Sequence, residues 1–214
     1  MNSNEISVIC RKGQGIALGQ LLRQLAYSSI VCWRPIAFSI DRKVTSILHS
    51  EGDVVQDMVE FSQNLASLQF VGDENSTNDL EIQEYKFNGT LTSNALANGG
   101  KIKCITPDVT VLSVLNNAEA SVTIYFRRAY GVQTINQNAS FLAERDFVGR
   151  DIKVISSTHT ILSSFVSEVT EHSLDEDRLT IKMTSKSRDC KEILKESIQL
   201  AVESLNTLYK QLGD

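Results

Sequence analysis

The sequence predicts an α+β fold, a β-rich body framed by a helix near each end of the chain. Three observations carry this. Residues 68 to 183 break into short β-branched or alternating runs separated by Asn, Gly and Asp turns, the mark of antiparallel strands. Leu18, Leu21, Leu22, Leu25 and Ser29 recur at helical spacing. Leu194, Ile198, Ala201, Leu205, Leu208 and Leu212 follow a 4-3-4-3-4 spacing with no Gly or Pro between Asp189 and Gly213.

Taken in order, Ile6–Cys10 is a short β-branched strand, broken by Arg11, Lys12 and the glycines at 13 and 15. A helix of about three turns follows and ends around Cys32–Pro35. Pro35–Ile40 reads as a strand with proline at its first residue, where the missing N–H matters least. Val44–Leu48 extends the sheet. Asp53–Leu65 reads as a helix with Val54, Met58, Phe61 and Leu65 as its stripe and Asp53 as its cap. Glu81–Phe87 alternates as a half-buried strand does. Asn98-Gly99-Gly100 marks a turn. Lys101–Ile105, Val109–Leu115 and Ala120–Arg128 read as strands, and Gly131–Asn138 as a polar stretch. Ile152–Ile155 and Ile161–Thr170 follow as strands, and Leu179–Met183 pairs back across a Leu174–Asp177 turn. Asp189 with Glu192 fits a variant of the capping box at the start of the last helix.

Several function classes lose ground on composition. With a net charge of −5, the chain lacks the basic excess of a domain that grips nucleic acid. No window approaches the roughly 20 apolar residues of a membrane span, and MNSNEIS is not a secretory leader. Cys10, Cys32, Cys104 and Cys190 form no CxxC pair and read as free thiols in a reducing compartment. His49, His159 and His172 have no metal-ligand spacing to one another or to a cysteine. No nucleophile elbow, HExxH, P-loop or paired-acid motif is present. The expectation is a chain with no catalytic residues, no metal and no cofactor.

Two readings remain. Gly13, Gly15 and Gly19 follow a strand and open a helix, with Asp41 about twenty residues on, a loose version of the turn that cradles a dinucleotide pyrophosphate. That predicts a nucleotide-cofactor-binding module, although the alternating βα units of such a fold are missing. The other reading is assembly: two striped helices at the two ends belong to one subdomain, and the β-rich body is inserted into it.

Four stretches then carry a resemblance. Ala17-Leu18-Gly19-Gln20-Leu21-Leu22-Arg23-Gln24 with Leu25-Ala26-Tyr27-Ser28-Ser29 resembles a Thr-Leu-Gly-Asn-Ala-Leu-Arg-Arg…Leu-Leu-Ser-Ser helix signature. Ile40-Asp41-Arg42-Lys43-Val44, Glu51-Gly52-Asp53-Val54-Val55-Gln56-Asp57 and Asn64-Leu65 resemble the stretch after it. Glu119–Val122 with Arg127-Arg128-Ala129-Tyr130-Gly131 resembles an Asn-Ala-Ser-Ile strand followed by Arg-Gly-Arg-Gly-Tyr. Leu179–Met183 and 193–209 resemble a final hairpin and helix. In this order they resemble the N-terminal domain of the α subunit of bacterial and plastid DNA-directed RNA polymerase.

The resemblance implies a dimerisation subdomain (1–43 plus 156–214, a sheet and two helices) interrupted by a β-rich insert subdomain (44–155). It implies a non-catalytic subunit of a nucleotidyltransferase that forms a homodimer with a second α chain and is the platform for the β and β′ subunits. DNA is met only through the complex, and no membrane is involved. The implied dimer residues are Leu18, Leu21, Leu22, Leu25, Leu194, Ile198, Ala201, Leu205 and Leu208. Arg23, Gln24 and Tyr27 are implied to contact the large subunit. Gln24 stands where the family has a second arginine, so one ionic contact there is altered. The chain is expected to lack the family's separate C-terminal domain, and its divergence suggests a plastid stroma, with a bacterial cytoplasm as the alternative.

Overall fold

A computed structural model describes residues 2–42, 52–73, 76–147, 151–157, 161–185 and 188–212. In chain order the elements are β1 (Asn2–Arg11), α1 (Gly15–Ser28), β2 (Cys32–Ile40), α2 (Met58–Ser67), β3 (Phe70–Val71) and β4 (Leu80–Asn88). They continue with β5 (Thr90–Thr92), α3 (Ser93–Asn98), β6 (Lys103–Cys104), β7 (Thr110–Ser113), β8 (Glu119–Ala129) and α4 (Ile135–Ala143). The chain closes with β9 (Lys153–Val154), β10 (Leu162–Glu171), β11 (Glu176–Ser185) and α5 (Cys190–Leu212). The fold is α+β, and every strand pairing among the described residues is antiparallel.

Two compact units divide the chain. One comprises residues 1–30 and 160–214, the other 31–159. The first holds a three-stranded sheet, β1-β11-β10, with α1 and α5 packed on it. Strict alternation sets its inner face: Leu179, Ile181, Met183 and Ser185 of β11 are buried, while Arg178 and Lys182 point the other way and are exposed. Asp189 starts α5, its carboxylate accepting from the Lys191 N–H at 3.0 Å and its carbonyl from the Ile193 N–H at 3.1 Å. Asn4 Nδ2 donates to the same carboxylate at 2.9 Å, tying β1 to the helix start.

The second unit is built on a four-stranded sheet ordered β4-β8-β2-β9. Phe38 of β2 meets Phe61 of α2 edge-on at 4.4 Å, and Phe70 of β3 meets Phe126 of β8 at 4.9 Å. Met58, Phe61 and Leu65 form the buried stripe that helical spacing predicts, and Val54 is buried in the same core but precedes the helix, bridging to Val114. Opposite it, Ile36, Ala37 and Tyr125 pack with Phe141 and Leu142 of α4.

Several local expectations are corrected. The second helix starts at Met58, because Asp57 is its cap and accepts from the Glu60 N–H at 2.7 Å. Asp53 instead accepts from Arg42 Nε at 3.0 Å, and that bond holds its carboxyl below the usual range. The strand expected from Pro35 begins at Cys32, and Pro35 sits where the β2–β8 register slips, a bulge that tolerates a missing donor. The polar stretch 131–138 becomes the start of α4: Thr134 and Gln137 form a full capping box. The strand expected at Lys101–Ile105 shrinks to two residues, and the short helix α3 was not anticipated. The expected strand Val44–Leu48 lies outside the described residues, as do His49 and His159. The strand β2 is hydrogen-bonded into the interior of the second unit's sheet, and the two compact units divide the chain as 1–30 plus 160–214 and 31–159.

The two candidate caps separate experimentally. Asp57→Ala is expected to lower the stability of the second unit by about 1 kcal/mol. Asp53→Ala, which breaks a half-exposed ion pair, is expected to change it by less than about half of that. Urea unfolding followed by the fluorescence of Trp33, the chain's single tryptophan, reads that unit directly. Equal effects would reverse the assignment.

Candidate functional site

The sequence-predicted site residues all fall on α1 and α5, in the first unit. The face that α1 turns to the sheet is made of its smallest residues. Gly15, Gly19 and Ala26 are its buried positions. A Cβ added to Gly15 would stand 3.0 Å from both Val169 methyls, and one added to Gly19 would stand 2.8 Å from Ser167 Oγ and 2.9 Å from its Cβ. The helix therefore lies closer to β10 than any larger residue would allow. This spacing is what the glycines are for.

The phosphate-cradle reading finds no support in the turn before the helix. Gly13 adopts φ +81°, and its N–H donates to Asp177 Oδ2 at 2.8 Å. A carboxylate of the chain already occupies the place an incoming phosphate would need, and like charge repels it. Lys12 closes the same corner through an ion pair with Glu171, which holds its ammonium above the usual range.

At about 100° per residue, the helical wheel sorts the predicted residues of α1 into three directions. Leu22 lies on the sheet face between Gly15 and Ala26 and is half-buried. Leu18, Leu21 and Leu25 form one flank; Leu18 and Leu21 are exposed and Leu25 is half-buried. Arg23 and Tyr27 lie on the other flank, and Gln24 points away from the sheet; Arg23 and Gln24 are exposed. The single leucine stripe read from the sequence is thus two surfaces, one inward and one outward.

On α5 the buried residues are Cys190, Ile193, Leu194, Ser197 and Ala201. Leu194 and Ala201 are therefore covered within their own chain and are not open surface. Beyond Ala201 every described residue of α5 is exposed. Yet Leu205, Leu208 and Leu212 continue the same angular arc, joined on its edge by Ile198, Val202 and Tyr209. Leu205 is 59% exposed and Leu208 55%. The helix outruns the sheet by about three turns, roughly 16 Å, with its apolar arc uncovered.

The nearby strand surface is also incompletely covered. Val8 pairs opposite Leu179 in the β1–β11 register, so it faces the helix side of the sheet, yet it is 45% exposed. Sequence reasoning did not single it out. Its alternation with Ile6 and Cys10 was the available signal. Among the described residues no group of His, Cys, Asp and Glu has the arrangement of a metal site, and no helix is long and apolar enough to cross a membrane. What this surface can do is bury apolar area against another protein.

No family model matches the chain. Over 205 residues, 94% of its length, it is 26% identical to the DNA-directed RNA polymerase subunit alpha of Campylobacter jejuni subsp. doylei. Over 207 residues it is 25% identical to the DNA-directed RNA polymerase subunit alpha of Campylobacter jejuni subsp. jejuni serotype O:2. The chain spans 57% of the length of each of these relatives. A likeness this dilute but this continuous supports a divergent domain of the α-subunit kind.

The two faces of α1 are expected to respond oppositely to substitution. Gly19→Val overpacks the contact with Ser167 and should cost about 1–3 kcal/mol, whereas Leu21→Ser on the outward flank should stay within about 0.5 kcal/mol in dilute solution. Far-UV circular dichroism during urea unfolding, at a concentration where the chain is monomeric, measures both. A tolerated Gly19→Val would mean that close approach is not the reason for the glycine.

Proposed function

We propose that this chain is an α-like subunit of a multisubunit DNA-directed RNA polymerase, a non-catalytic member that dimerises and forms the platform on which the β and β′ subunits assemble. The observation that carries this reading is the uncovered apolar arc on the outer half of α5, together with the exposed leucines of α1 in the same unit. A monomer gains nothing by holding such a surface in water, whereas pairing two copies buries it. The subunit names of the two relatives agree with the role.

In this reading Leu18, Leu21, Leu25, Ile198, Leu205 and Leu208 pack against the same residues of a second copy. The first unit, with its sheet and two helices, is the dimerisation subdomain, and the second is the β-rich insert. The polar side of α5 carries three lysines and three glutamates, Lys191, Lys195, Lys210, Glu192, Glu196 and Glu203. That balance lacks the cationic excess that draws an amphipathic helix to an anionic bilayer, so a protein partner fits better. Arg23, Gln24 and Tyr27 lie off the leucine flank, and on this reading they remain open to a large subunit after dimerisation. The relatives are bacterial; a plastid location rests on the divergence of the chain alone.

The purified chain is expected to sediment at twice its 23.7 kDa mass at micromolar concentration, and Ile198→Glu with Leu205→Glu to sediment as a monomer with unchanged circular dichroism. Both residues are exposed in the single chain, so the fold is not at stake. Arg23→Glu should leave the dimer intact and reduce co-purification with the large subunits by about tenfold or more. A wild-type chain that is monomeric at these concentrations would remove the basis of the proposal.

A further inference from the structure

The second unit contains an open cavity of mixed polar and apolar lining that the assembly reading does not use. It has a volume of about 710 Å³ and is walled by the end of β8, residues 77–79 and one face of α4. Its charge is lopsided for a structural reason. Arg34 is 1% exposed and donates to Gly131 O, to Ala129 O at 3.0 Å and to Cys32 Sγ at 2.9 Å, while its Nε has no partner. Burial pushes the Cys32 thiol up, so that acceptor is neutral, as are the two carbonyls. A full positive charge is therefore held just behind the cavity wall without a carboxylate.

Arg127 stands in the wall itself. Its guanidinium lies over the Phe141 ring at 3.9 Å and donates through Nη1 to Gln133 Oε1 at 3.3 Å, again a neutral partner. The two acids at the rim are already engaged: Arg145 takes Asp79 at 2.7 Å and Glu144 at 3.8 Å. Burial pushes the Arg127 guanidinium down; Asp79 and, more weakly, Glu144 oppose this, while the charges of Arg145 and Arg34 add to it. Partly buried charges of this kind are screened much less by salt than surface ones. The rest of the lining includes Asn136, Gln137 and Ser140, whose amides and hydroxyl both donate and accept.

We infer that this cavity receives an acidic side chain, with its adjoining main chain, from an extended segment of a partner polypeptide. Arg127 binds the carboxylate through its unused N–H groups, with the buried Arg34 adding to the field. The α4 amides meet the peptide backbone. A single small anion would leave most of the volume unfilled, and a nucleic acid would bring repeated phosphates against Asp79 and Glu144. The site lies wholly in residues 31–159, so it stands or falls separately from the dimer surface of the first unit.

Fluorescence anisotropy on the full chain tests this. The probes are a labelled dodecapeptide of four Gly-Glu-Leu repeats, its Gly-Gln-Leu counterpart and a labelled single-stranded deoxy-oligonucleotide of equal length, all at about 0.1 M salt. The glutamate peptide is expected to bind about tenfold more tightly than the glutamine peptide. Arg127→Gln removes the carboxylate's partner and should erase that preference. Gln133→Glu supplies an internal carboxylate to Arg127, keeps the shape of the wall and should erase it too. Lys195→Gln, exposed on the first unit, should leave it unchanged. Equal binding of the two peptides, a preference that survives Gln133→Glu, or tighter binding of the oligonucleotide would each overturn the inference.

Discussion

The contact on which the first unit depends is the close approach of α1 to β10, made possible by Gly15 and Gly19. A helix that buries leucines on a sheet leaves a polar outer face. This one buries its smallest residues, half-buries Leu22 and Leu25, and leaves Leu18 and Leu21 exposed. Leu18 and Leu21 are exposed as a consequence of geometry, because the sheet-facing direction is already filled at contact distance. The apolar surface of α1 and the shortness of its glycine face are one design seen from two sides. Removing the glycines would lift the helix and scatter the leucine flank before any interface residue had been touched.

α5 reaches the same result by another route. Its first half docks through Ile193, Leu194, Ser197 and Ala201, and its second half carries the same arc past the end of its support. Ser197 satisfies its hydroxyl on the Ile193 carbonyl at 2.8 Å, so the small polar residue in the docked half is not an orphan. Helix propensity alone gives little stability to a projecting three-turn segment in water. In the proposed dimer a second copy of the same arc would cover it, the self-complementary arrangement of a twofold assembly.

Much of the fold was legible because the relevant signals are local. The β-branched run Ala120–Arg128, the apolar spacing of Met58, Phe61 and Leu65 and the unbroken run after Asp189 each specify an element without reference to the rest of the chain. α4 was missed because its apolar residues, Phe141 and Leu142, sit at its far end, behind a polar first turn; Thr134 followed by Gln137 was the sign that could have found it. The site was legible as a set of leucines but not as a surface. Periodicity marks which residues share a face, and it does not say which face the sheet takes. Here the glycines decided that, and they had been read as a possible phosphate turn. The Arg34 and Arg127 cavity was not legible at all, since it exists only through the β2–β8 register that places Arg34 opposite Arg127.

The division of the chain follows from where β2 belongs. β1 pairs with β11 across a sequence separation that includes the entire second unit, from Asn2 with Ser185 to Arg11 with Glu176. Closing a free loop of that length would carry a substantial entropic cost. The second unit removes most of it, because β2 at its start pairs with β9 at its end: Ala37 lies opposite Val154, and the Ile155 N–H donates to the Ile36 carbonyl at 2.8 Å. Once this sheet has formed, Ile36 and Ile155 are neighbours, and the loop that remains to be closed between β1 and β11 is much shorter than the sequence separation. A β2 that belonged to the first unit could not serve this purpose. The placement of Cys32–Ile40 in the second sheet is therefore the condition under which two distant ends of one chain can build a shared sheet and present α1 and α5 together.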